Sequence, residues 1–152
     1  EDDGRSAVVL RYAGYVKYVA TEYYGWNGEK DENGRDLLQF IGDGVRNKYG
    51  EGFWVDKLMS DISDFCKDLN YVLIDDCRYP NEITTPKSMF ETYSVRINRE
   101  NFESELTDEQ KKHNSEVALD GYNFDYVIST NSGVSNLCSP IRHLYKNIEG
   151  GE

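Results

Sequence analysis

A chain of 152 residues suits one domain with its own core, and a formal charge of -11, from 28 acidic and 17 basic residues, excludes broad binding to duplex nucleic acid. The three cysteines, Cys66, Cys77 and Cys138, lie far apart without CxxC spacing, which argues against a disulfide framework and a zinc site. No apolar run approaches the roughly 18 residues of a membrane span, and Glu1, Asp2 and Asp3 are unlike a signal peptide's basic start, so a soluble, cytoplasmic protein without a membrane partner is expected.

Residues 6–13 are short, apolar and β-branched, as a buried parallel strand should be, and Gly14 marks a change of direction. From Tyr15 to Tyr24 the apolar residues recur at helical spacing, and Gly25 stands where a helix-ending glycine belongs. Residues 26–34 are polar and glycine-punctuated, which predicts an exposed loop able to border a site. Helices are expected over 35–48 and 52–69, then a strand over 71–76 whose apolar run ends in two carboxylates. A short helix should cover 81–90, with Pro86 setting its continuity in doubt. A strand over 92–98, a helix over 108–119, a strand over 126–129 and a last helix into Tyr145 complete the pattern. Strands alternating with helices predict an α/β fold, a parallel sheet covered on both faces with ligands gathered at the C-terminal strand ends.

Three clusters carry chemistry. Arg35 and Gln39 stand one helical turn apart with Arg46 further along, a set that can hold a phosphate and a base edge; a solvated face with ordinary surface arginines is the alternative. Residues 75–82, DDCRYPNE, concentrate three carboxylates, an arginine and a proline where a buried strand ends. Carboxylates there can hold magnesium through water and Arg78 can grip a phosphate. Equally, Asp75 and Asp76 can cap the helix after Pro80 while Arg78 pairs with Glu82. Arg96, Arg99 and HNSE at 113–116 flank the polar stretch 101–105, an arrangement that suits a lid closing over phosphates, although a lone His113 is more often structural than a base. The overall negative charge leaves room for a small phosphorylated ligand, because a few convergent arginines dominate at short range.

Lys17 in YVKY, GRDLLQFIG at 34–42, DCRYPNE at 76–82, HNSE at 113–116 and LDGYNFDYVISTN at 119–131 resemble, in order, the phage and bacterial deoxynucleoside monophosphate kinases. The resemblance spans nearly the whole chain. It implies a three-layer P-loop kinase fold and transfer of a phosphoryl group from ATP, with Mg2+, to a deoxynucleoside monophosphate. By the same resemblance Lys17, Arg35, Gln39, Arg46 and Arg78 line the monophosphate and base site. Asp76 holds the metal near the phosphates, Arg99 acts from the lid, and Asn131 lies by the donor's base. Tyr79 replaces a more usual phenylalanine, Asn114 a more usual proline, and Gly42-Asp43-Gly44 departs from the family's Gly-Thr-Asp.

The glycine-rich loop GxxxxGK[ST] is missing from these residues, and neither 42–48 nor 50–57 supplies a substitute. That loop cradles the donor phosphates, so ATP and Mg2+ binding is doubtful and transfer is expected to be impaired. The resemblance places the family's first strand, its loop and most of its first helix ahead of Glu1, with residues 1–4 as that helix's tail. Because that strand lies in the middle of the family's sheet, the expectation is that the chain rearranges, pairs with another copy as a homo-oligomer, or loses stability. A non-catalytic nucleotide-binding or regulatory protein of the same fold is the second reading, and a scaffold with neither site working is the third.

Overall fold

The computed structural model describes residues 4–100, 106–131 and 134–150. The protein is mixed α/β, with short parallel strands in two small sheets, and divides into two compact units, Glu1–Thr85 and Pro86–Glu152.

In the first unit, β1 (Ala7–Leu10) leads into α1 (Ala13–Tyr24), α2 (Glu32–Tyr49) and α3 (Phe53–Phe65) before β2 (Tyr71–Ile74) pairs with β1 in parallel. β1 is shorter than the expected run 6–13, and β2 covers the apolar residues Tyr71–Ile74 and ends before the two carboxylates. One face of the pair packs on a core of Tyr12, Val55, Leu58, Met59 and Ile62. A second cluster, built on Val16, Ala20, Ile41 and Trp54, joins α1, α2 and α3. Ala20 is fully buried, and Trp54 donates its indole proton to the Gly42 carbonyl at 3.1 Å.

Helix boundaries follow from their caps. Gly25 ends α1 with a left-handed φ of 66°, as its position predicts. α2 begins inside the expected loop, because Asp31 Oδ1 accepts the Gly34 N–H at 2.7 Å and starts the helix early. α3 stops at Phe65, short of the expected 69, with Cys66 as its last cap. α4 (Asn81–Met89) runs through Pro86 and crosses the boundary between the units.

Pro86 has no N–H for the Glu82 carbonyl four residues back, a loss that normally breaks a helix. The Tyr12 hydroxyl supplies the missing proton, donating to Glu82 O at 2.7 Å, so the helix continues.

In the second unit, β3 (Val95–Arg99) and β4 (Tyr126–Thr130) form the other parallel pair. β3 starts later than expected, because Asp125 Oδ2 takes both the Ser94 N–H and the Ser94 hydroxyl, each at 2.7 Å. Lys87 closes the same carboxylate at 2.6 Å. The single helix expected over 108–119 is two short ones, α5 (Asp108–Lys111) and α6 (Asn114–Val117). A capping box between Thr107 and Gln110 starts the first, and His113 breaks the run by adopting an extended backbone and capping the second. A 3-10 turn (Val134–Leu137) precedes α7 (Cys138–Ile148), which extends past the expected end at Tyr145. Among the described residues no helix is long and apolar enough to cross a membrane.

Candidate functional site

The in-register pairing Leu10 with Ile74 brings the next residues of both strands out side by side. Arg11 and Asp75 meet there as a two-pronged pair, Nε to Oδ1 at 2.8 Å and Nη2 to Oδ2 at 2.6 Å. Both are about half exposed, so water screens much of the attraction. The Asp75 carboxyl is still held below its ordinary range by the hydrogen bond from Arg11, and the Lys17 charge adds to the effect, which places Lys17 within electrostatic reach.

Asp76 faces the other way. Its Oδ1 accepts the Tyr12 N–H and its Oδ2 the Ala13 N–H, both at 2.9 Å. Tyr12 makes no side-chain cap for α1, so Asp76, 63 to 64 residues distant in sequence, caps that helix from the second strand. The helix capped is α1 and not the one after Pro80, which the sequence also allowed for this carboxylate.

Glu82 organises the turn between β2 and α4. Its side chain is almost wholly buried. Oε2 accepts the Arg78 N–H at 2.5 Å and the Tyr79 N–H at 3.0 Å, and Oε1 meets Arg46 Nη2 at 3.2 Å. Burial pushes Glu82 above the ordinary carboxylate range while the two N–H groups and Arg46 pull it down. The Arg46 guanidinium also lies 4.0 Å over the Tyr79 ring and reaches Asp43 Oδ1 at 3.6 Å. Arg46, expected in the substrate site, is therefore engaged in holding this turn. The neighbouring Cys77 thiol is pushed up to about 12 by burial and nearby carboxylates, so it is a poor nucleophile.

Lys17, Arg35 and Gln39 are half-buried on α1 and α2, and Arg78 is exposed on the turn after β2. Arg35 follows Gly34, over which the loop folds: Trp26 Nε1 donates to Glu29 O at 2.8 Å. Arg99 and Asn131, in the second unit, stand at the C-terminal ends of β3 and β4, where Arg99 is in register with Thr130. Residues 101–105 of the expected lid lie outside the described residues. His113 Nδ1 accepts the Ser115 N–H at 3.2 Å and meets the Ser115 hydroxyl at 2.8 Å. Among the described residues no group of three or more metal-ligating side chains comes together. A cleft of about 280 Å³ between β4 and α7 is lined by Tyr126, Ser129, His143, Asn147 and apolar neighbours but by no lysine or arginine, so it lacks the charge to hold a phosphate.

The sequence offered Glu82 as a partner for Arg78 and as one of three carboxylates able to hold magnesium, and did not single out Tyr12. The available signal for Tyr12 was Pro86, whose missing N–H demands a donor for the carbonyl four residues earlier. No protein-family model matches the chain, and no curated protein matches it either.

Proposed function

We propose that this protein is a deoxynucleoside monophosphate kinase-like protein on a three-layer P-loop-kinase-type parallel sheet, and that its first unit carries an acceptor site for a deoxynucleoside monophosphate. The observation that carries the reading is the turn after β2. It lies at the C-terminal end of a parallel strand, where α/β folds gather ligands, and two of its three carboxylates are satisfied by backbone N–H groups. Arg78 stands exposed on that turn.

Within this reading, Arg78, Arg35 and Lys17 neutralise the acceptor phosphate, since arginine forks match phosphate oxygens. Gln39 faces the base, and Arg99 and Asn131 serve the lid and the donor base. ATP and Mg2+ would bring the transferable group and its charge neutralisation. The donor side does not fit as well as the acceptor side, because these residues contain no GxxxxGK[ST]. Asp76 is the remaining metal-side carboxylate, and both its oxygens already accept N–H groups. That observation favours the second reading, a nucleotide-binding or regulatory protein that binds without turnover.

Calorimetric titration with a panel of deoxynucleoside monophosphates, and separately with ATP and Mg2+, tests the proposal. Monophosphate binding that Arg78→Ala abolishes is the expected result. Failure to bind any monophosphate would sink the acceptor site, and turnover by these residues alone would sink the non-catalytic reading.

A further inference from the structure

We propose that Glu82 is the positioning residue of the acceptor site, fixing the backbone beneath Arg78 with one carboxylate oxygen and recruiting Arg46 as its counter-ion with the other. The inference rests on the acceptor reading above and assigns Arg46 to the scaffold.

The geometry divides the labour of the carboxylate. Oε2 gathers the consecutive Arg78 and Tyr79 N–H groups, which fixes the peptide planes on either side of the Arg78 Cα. Oε1 meets Arg46, whose guanidinium covers the Tyr79 ring and closes the turn from the α2 side. The Glu82 backbone is held as well, since its carbonyl receives the Tyr12 hydroxyl, and Tyr12 N–H is bound to Asp76 at the other end of the same turn. Both ends of the segment bearing Arg78 are thus anchored to the start of α1.

A buried ion pair is a poor device for stability alone, because desolvating two charges offsets most of their attraction, and apolar side chains of similar volume often do as well. What a carboxylate supplies and an apolar group does not is a fixed direction for the donors around it. A phosphate-gripping arginine needs that direction, since its fork must meet two oxygens at once.

The test uses Glu82→Gln in the full chain, which keeps the volume but removes the charge facing Arg46. Monophosphate affinity should fall about tenfold. In an Arg78→Lys background, which has already lost the fork, the same change should cost less than about twofold, because Glu82 acts through Arg78. Fully additive losses would show that Glu82 acts elsewhere and would overturn the proposal, as would unchanged affinity. Independently of any ligand, amide exchange at Arg78 and Tyr79 should quicken about tenfold in Glu82→Gln while Val72 and Leu73 stay unchanged. Unaltered exchange at those two amides would overturn the positioning role. Should Glu82→Gln fail to fold, Arg46→Lys, which keeps the charge and loses the planar fork, should move both readouts in the same direction, and no movement in either would overturn the proposal. If the unmodified chain binds no monophosphate, the acceptor reading fails by itself, while the exchange result still decides whether Glu82 holds the turn.

Discussion

Gly34 sits where the loop before α2 folds back over the helix's first turn. A Cβ placed on it would lie 2.2 Å from Glu29 O and 2.8 Å from Trp26 Nε1, the two atoms of the hydrogen bond that closes the loop. Gly34→Ala should therefore push the loop off the helix and lower stability by about 1–3 kcal/mol, read as a shift in urea midpoint at unchanged slope. The glycine is visible in the sequence as loop punctuation and as part of GRDLLQFIG. Its reason is not, because that depends on which carbonyl the Trp26 indole selects. Glu82 shows the same limit. Its charge and its place after Pro80 are plain in the sequence, but its burial and its hold on the Arg78 and Tyr79 backbone N–H groups arise from packing that residue spacing does not encode.

At the scale of elements, apolar runs located the four strands found among the described residues, and the parallel pairing of neighbours in space was expected from strand–helix alternation. The boundaries moved wherever a side chain captured a backbone group: Asp31 lengthened α2 at its start, Ser94 and Asp125 delayed β3, and His113 split one expected helix into two. The Asp125 clamp has a pH signature. Hydrogen bonds from Lys87 and then Ser94 hold its carboxyl down at about 2. Since the unfolded chain's aspartate titrates near about 4, the native state is favoured above that pH, and the contribution is lost as pH falls from about 4 towards 2. Asp125→Asn should flatten stability over that acid window and leave the slope near neutrality unchanged, measured as urea midpoints across pH.

At the scale of the whole molecule, the two units differ in how their cores are built. Both hydrophobic clusters belong to the first unit. In the second, the buried apolar residues are Pro86, Leu119 and Ile128 among those described. Hydrogen exchange read by mass spectrometry should consequently show its slowest amides in β1, α1 and α3, with the β3–β4 pair opening earlier; equal protection in the two units would contradict this. A hydrophobic run in the sequence announces burial without saying which runs share a core.

The bond from Tyr12 to Glu82 makes α4 depend on a residue 70 positions away. A proline-interrupted helix with a borrowed proton donor has little reason to persist by itself, so its last turns should consolidate only after the chain has closed a long loop, an entropic step that comes before its reward. The contact is then absent from the folding transition state, and Tyr12→Phe should accelerate unfolding while leaving the refolding rate nearly unchanged in stopped-flow measurements. The hydroxyl thus works as a latch: it sets how long the folded chain lasts more than how quickly it forms.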